Sequence, residues 1–409
     1  MKEKRQKGTL GIKTALLGSM GIFIVLSLIS MAVYLASGTI SDPFRALFES
    51  VSAFTDTGLS VLAKDAALPA WLLIFRSFCQ WIGGAMLLAF FALIFSGSDI
   101  LAPSTVSFYR LGIQFRASLK RLLLVYAALT VSMFLLLLAT GCTAADSLCA
   151  ALSTVSTGGS IPAGALKSGL SETVVVLFMI LTSISYPLYY YAVKGRTEKI
   201  DKSSELNVFI GIVIASCVIV CATLAINGTY DIRHSIEYGC FQTISNLSTT
   251  GHAIADISAW PSFAQSVIFL LSFAGGCSMS LAGGVRIVRL IVILRIISRS
   301  FTVRIHPKAV ISTKVNKKQV PRHLASRMSA YLMTCILFYL IGVFVVSFES
   351  PDVISCFTMS AALITSTGPA LAGNIVMSDV SAVSLLLWSV FMIMGRLELY
   401  ALFIPSSRS

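Results

Sequence analysis

The chain has 409 residues, of which 56% are hydrophobic and only 12% charged, and its formal net charge is +13. A soluble domain carries about 25% charged residues, so this composition excludes a soluble globular protein and points to a helical membrane protein. In that setting the basic excess reads as orientation rather than as a nucleic-acid footprint, because Lys and Arg collect on the cytoplasmic side of a membrane.

After the basic start MKEKRQK, Thr14 to Ser37 runs 24 residues without a charge. About 20 such residues span a bilayer as helix. No signal-peptide cleavage pattern follows, so the run reads as a retained span. In order, eight long apolar segments emerge at 12–37, 69–96, 117–141, 171–194, 206–227, 261–299, 326–348 and 380–404. The sixth is too long for one span, and AGGCSMSLAGG (Ala274 to Gly284) interrupts it. The nine cysteines form no CxxC pair, and most read as small buried residues within apolar runs.

Four connectors separate the first segment from the second, the third from the fourth, the fifth from the sixth and the seventh from the eighth. They are Pro43–Thr57, Ala145–Thr157, His234–Thr250 and Asp352–Thr367. Each is too short to cross a bilayer but long enough for a re-entrant helix of a few turns. Acidic or polar residues open each one, as helix starts prefer. Each then runs into a Thr-Gly pair: Thr57-Gly58, Thr157-Gly158, Thr250-Gly251 and Thr367-Gly368. The chain therefore reads as four tandem repeats, at 12–96, 117–194, 206–299 and 326–404. The expected fold is an all-α polytopic membrane protein with eight spans and four re-entrant helices around a central pore.

Charge sets the expected orientation. The whole outer segments that contain these connectors hold four basic residues, Arg45, Lys64, Lys167 and Arg233, whereas eleven crowd between Arg286 and Arg327. A cytoplasmic N-terminus puts the connectors outside and satisfies the positive-inside rule.

Non-helical backbone at membrane depth must be buried or must line a water-filled path. Four glycine turns lend themselves to turning carbonyls inward, where they can replace the water shell of a bare cation. Four half-helices would also aim their negative C-terminal ends at the same place. A C-cap glycine in an ordinary hairpin explains one such turn; four at the same place in four repeats favour an ion filter.

These residues carry a resemblance. On ESVSAFTDTGLSV, STVSTGGS, SNLSTTGHA and SAALITSTGPALAG, with QWIGGAMLLAF (Gln80–Phe90) and GGCSMSLAGGVRIVRL (Gly275–Leu290), the chain resembles pore subunits of the Trk/Ktr/HKT superfamily of potassium transporters over nearly its whole length. The resemblance implies four joined M1–P–M2 units with K⁺ as the transported ion at the filter and no bound organic cofactor. It implies a homodimer in the cell inner membrane, docked on a cytosolic nucleotide-binding regulatory ring. Glycine at all four filter positions goes with potassium in that superfamily. The layout is closer to its eight-span members, because the extra N-terminal helix pair of the larger ones is missing.

Several readings stay open at this level. The Ala274–Gly284 break, with Gly275, Gly276, Ser278, Ser280, Gly283 and Gly284, is either a kinked helix or an intramembrane gating loop. Arg396 either sits in the pore below the filter, as the resemblance implies, or snorkels to the inner interface. Asp56, set level with Ser156, Thr249 and Ser366, either adds charge to a binding site or points back into a hydrogen-bond network. His252 is expected to turn its ring away from the axis, and Arg76 to pair with an acid or a backbone carbonyl between repeats. Glu398 shares no helix face with Arg396. The basic stretch from Arg286 to Arg327 is either a docking surface or ordinary anchoring. A passive or gated K⁺ pathway competes with a Na⁺- or H⁺-coupled symporter and with a less selective Na⁺/K⁺ pathway. An enzyme is not expected, since the four histidines lie in loops or connectors without a partner motif.

Overall fold

The computed structural model describes residues 12–62, 69–95, 109–161, 164–193, 195, 203–306, 314–315, 318–320, 322–368, 375, 377 and 379–397. Lys64, Glu398 and the end of the eighth apolar segment lie outside the described residues, as do most basic residues between Lys308 and Lys317.

In chain order α1 (Ile12–Ala36), the short α2 (Pro43–Phe54) and α3 (Ala70–Phe95) come first. Then follow α4 (Tyr109–Ala139), the short α5 (Ala144–Ser156), α6 (Gly169–Ser183) and α7 (Tyr186–Val193). Next are α8 (Ser204–Ile226), the short α9 (Ile232–Leu247), α10 (Ser262–Ala274) and α11 (Ile287–Ile305). The series ends with α12 (Arg322–Val346), the short α13 (Val353–Thr365) and α14 (Ala382–Arg396). One two-residue antiparallel ladder, Lys314–Val315 against Lys318–Gln319, interrupts this helical series.

Stretches within α1, α3, α4, α8 and α12 are long and apolar enough to cross a bilayer. Their outward faces carry bare aliphatic side chains, such as Val25 and Ile29 on α1 and Ile214 and Val218 on α8. In water such surface would be unfavourable; in lipid it is solvated. The short helices α2, α5, α9 and α13 have the opposite character. Each is polar at its start and buried along its last turns, where Val51–Phe54, Leu152–Ser156, Phe241–Leu247 and Met359–Thr365 reach the protein core. Side-chain N-cap bonds start three of them: the Asp42 carboxylate accepts from the Phe44 N–H, the Thr143 hydroxyl from Asp146, and the Asp352 carboxylate from Ile354 and Ser355.

One sequence expectation needs correction. The fourth apolar segment, 171–194, is not a straight span: α6 and α7 meet at 95°. Pro187 is the cause. It has no N–H to give the Ser183 carbonyl one turn back, so the helix breaks there. The released Ser183 carbonyl accepts instead from the Cys277 N–H, at 2.9 Å. The sixth segment is also broken, with α10 ending at Ala274 and α11 starting at Ile287. These two breaks meet: beside the Ser183–Cys277 bond, the Tyr186 N–H donates to Met279 O at 3.3 Å.

Candidate functional site

The four short helices end in the same backbone figure. A residue in the left-handed region comes first: Asp56 (φ 52°), Thr157 (66°), Thr249 (55°) and Ser366 (53°). Two positions later stands a glycine with positive φ: Gly58 (75°), Gly159 (72°), Gly251 (72°) and Gly368 (83°). The intervening N–H reaches back five residues, from Thr57 to Ser52 O, Gly158 to Ser153 O and Thr250 to Ser245 O, at 2.7–3.0 Å.

This corrects the register of the second turn. The sequence expectation pairs Thr157 with Gly158 and sets Ser156 level with Asp56. The backbone sets Thr157 level with Asp56, Thr249 and Ser366. Gly158 is level with Thr57, Thr250 and Thr367, and Gly159 with the other three glycines. Two adjacent glycines left the sequence register ambiguous by one.

The turns close on one another. A side chain on Gly58 would strike the carbonyl oxygen of Gly158, and one on Gly159 that of Thr250. One on Gly251 would strike that of Thr367, and one on Gly368 would lie 2.9 Å from that of Thr57. Each glycine therefore abuts the carbonyl just before the next turn's glycine, and the fourth turn returns to the first. The four segments form a closed ring, and positive φ with this crowding leaves room for nothing larger than glycine at the four ring positions.

Side chains behind the ring fix it. Arg76 of α3 is ion-paired with Glu49 of α2 at 2.7 Å, and its guanidinium donates to Gly58 O (3.0 Å), Leu59 O (3.2 Å) and the Ser160 hydroxyl (2.7 Å). This is the expected pairing with both an acid and backbone carbonyls, and it joins the first two turns. His252 Nε2 lies 2.8 Å from Thr154 Oγ1, which joins the second and third turns. Gln80 Nε2 donates to Gly158 O at 2.7 Å.

The loop between α10 and α11 holds Gly275, Gly276, Ser278, Ser280, Gly283 and Gly284, and it packs against the left-handed residues of the ring. The Thr157 hydroxyl donates to Leu281 O (3.1 Å), and the Thr249 hydroxyl accepts from the Gly283 N–H (2.7 Å). Arg396 donates to Leu281 O (2.9 Å) and forms a buried ion pair with Asp56. So Arg396 does not snorkel, and Asp56 does point back into a network. From the other side Glu205, at the start of α8, accepts from both the N–H and the hydroxyl of Ser278, at 2.5 and 2.7 Å. The Ser280 hydroxyl donates within the loop to Cys277 O. Sequence reasoning missed Gly159, Gln80, Ser183 and Glu205; Pro187 was the legible signal for Ser183.

Buried turns of this kind, closed on themselves within a bundle of membrane-crossing helices, define a polytopic membrane protein with a built polar core. The chain belongs to the TrkH family of cation transport proteins, whose model matches residues 2–408. It is 28% identical over 394 residues to the Trk system potassium uptake protein TrkH of Halomonas elongata, covering 92% of this chain and 82% of that one. It is 26% identical over 385 residues to the TrkH protein of Escherichia coli K12, covering 90% and 78%. Its fold is similar to the crystal structure of the potassium transporter TrkH from Vibrio parahaemolyticus, with a TM-score of 0.86 at 24% identity over 98% of this chain and 86% of that one. The family is one of transporters, not enzymes.

Proposed function

We propose that this chain carries K⁺ into the cell through a pore on the axis of the glycine ring. The observation that carries the reading is the mutual contact of the four turns, each glycine against the carbonyl of the next turn. Main-chain oxygens collected in this way exchange for the hydration shell of a monovalent cation. The four short helices add the partial negative charge of their C-terminal ends, about half a charge each. The eight filter residues of the sequence reading remain the candidates, with Gly159 added as the second turn's ring glycine.

The loop from Gly275 to Arg286 is the gate in this reading. Its hydrogen bonds to Thr157, Thr249 and, through Arg396, Asp56 set it against one mouth of the ring. Opening the path requires those bonds to break together. Arg396 acts there as a neutralised anchor of the loop rather than as a bare positive charge.

The eight-span, four-repeat layout, the cytoplasmic N-terminus and the inner-membrane location belong to the same proposal, supported by the charge distribution. So do the homodimer and the cytosolic nucleotide-binding ring, which rest on the family likeness. Potassium is the ion named for the Halomonas and Escherichia relatives. The test is growth of a K⁺-uptake-deficient host at low K⁺, together with K⁺ and Na⁺ flux through purified protein in liposomes. Rescue with K⁺ flux exceeding Na⁺ flux supports the proposal; equal fluxes, or flux that requires a Na⁺ gradient, contradict it.

A further inference from the structure

Three of the ring's turns carry a threonine just before the glycine, and the second does not. Thr57 pairs its hydroxyl with Thr55 at 2.9 Å, Thr250 with Ser248 at 2.8 Å, and Thr367 with Thr365. At the matching position Gly158 has no side chain, and Ser156 has no hydroxyl there to meet. Gly158 does not need to be glycine for its own backbone, because its φ is outside the left-handed region. What excludes a side chain is Gln80. A Cβ at position 158 would lie 2.6 Å from Gln80 Cδ and 2.9 Å from its Cγ.

Gln80 is completely buried and comes from α3, outside the four turns. A carbonyl oxygen only accepts hydrogen bonds, so the amide must present its nitrogen to Gly158 O, as it does at 2.7 Å. One helical turn earlier on α3, Arg76 grips Gly58 O and the Ser160 hydroxyl. One face of α3 thus holds the first two turns of the ring.

We propose that Gln80 is a positioning residue of the filter, filling the place of the missing fourth threonine and fixing the Gly158 carbonyl in the geometry that selects K⁺ over Na⁺. Gln80 and Gly158 are then an exchangeable pair: glutamine with glycine, or a small residue with threonine. This rests on the filter reading above.

The experiment compares Gln80→Ala, Gly158→Thr, the double variant and Gly251→Ser in proteoliposomes, reading K⁺ and Na⁺ flux and the melting temperature of each purified protein. Loss of the amide's hydrogen bond lowers the K⁺/Na⁺ flux ratio of Gln80→Ala about fivefold. Overpacking against Gln80 lowers total flux of Gly158→Thr about tenfold. The double variant recovers both to within about twofold of the starting protein, a coupling that appears only when two side chains compete for one space. A purely structural Gln80 would change melting temperature and leave the flux ratio alone, which overturns the proposal. A double variant no better than Gly158→Thr overturns it as well. If Gly251→Ser shifts the ratio while Gln80→Ala does not, only the role of Gln80 falls. If Gly251→Ser leaves the ratio unchanged, the filter reading fails and this proposal falls with it.

Discussion

Asp56 and Arg396 stand 340 residues apart in sequence and form an ion pair from which water is excluded. Asp56 is the left-handed residue of the first ring turn, and Arg396 closes α14. Through Leu281 O the same arginine holds the loop between α10 and α11. One guanidinium therefore ties the start of the chain, its end and the proposed gate into a single charge-neutral knot.

Breaking that pair from one side leaves the other charge stranded. Arg396→Gln is expected to destabilise the fold by about 3–5 kcal/mol, the usual cost of orphaning one partner of a buried pair. Asp56→Asn/Arg396→Gln, which removes both charges, should regain most of that loss. Thermal unfolding in detergent distinguishes the two outcomes: additive losses would mean that the residues act separately.

Glu205 holds the loop from the other side. Its carboxylate takes two hydrogen bonds from Ser278, and bonds to a charged acceptor are worth about 1.5–3 kcal/mol each. Glu205→Ala should release the loop and raise resting K⁺ flux in liposomes by at least about tenfold, since even one such bond exceeds the about 1.4 kcal/mol that shifts a two-state equilibrium tenfold. Glu205→Gln keeps an acceptor for Ser278 and should raise flux less. Resting flux that fell in both variants would show that the carboxylate serves the open state instead.

Part of this was legible in the sequence. The capped starts of three short helices at Asp42, Thr143 and Asp352, and the glycine turns after all four, follow local rules of capping and turn formation, so position along the chain was enough. Glycines and small residues likewise announced the break after Ala274. The bend at Pro187 was written plainly but hidden inside a run whose hydropathy resembles a continuous span. What could not be read were partners distant in sequence. Nothing near Asp56 specifies Arg396, and although Gln80 opens the QWIGGAMLLAF motif, nothing local says that its amide reaches Gly158. The register of Gly158 and Gly159 was undecidable because either glycine satisfies a local turn. The positive φ of Thr157 and Gly159, together with contact with Thr250 of the next turn, assigns the role to Gly159.

Outside the membrane, Glu349 fastens the turn after α12 to the start of α14. Partial burial pushes its carboxyl up, but hydroxyl bonds from Ser381 and Ser384 and the Ser381 N–H outweigh that and hold it below the ordinary glutamate range. A depressed carboxyl contributes stability that is present above its unfolded pKa, about 4.3, and is lost as pH falls through the lower folded value. Melting temperature should therefore drop on acidification below about pH 4.3, and Glu349→Gln should flatten that part of the profile while lowering stability at neutral pH. An unchanged acid limb in the variant would show that Glu349 contributes nothing to it.

The most direct test of the central claim is anomalous diffraction from crystals of the protein grown in Rb⁺, a heavy substitute for K⁺. The account predicts Rb⁺ peaks on the ring axis, in contact with the carbonyl oxygens of Thr57, Gly158, Thr250 and Thr367. Rb⁺ bound elsewhere in the membrane region, with no peak touching those four oxygens, would contradict it.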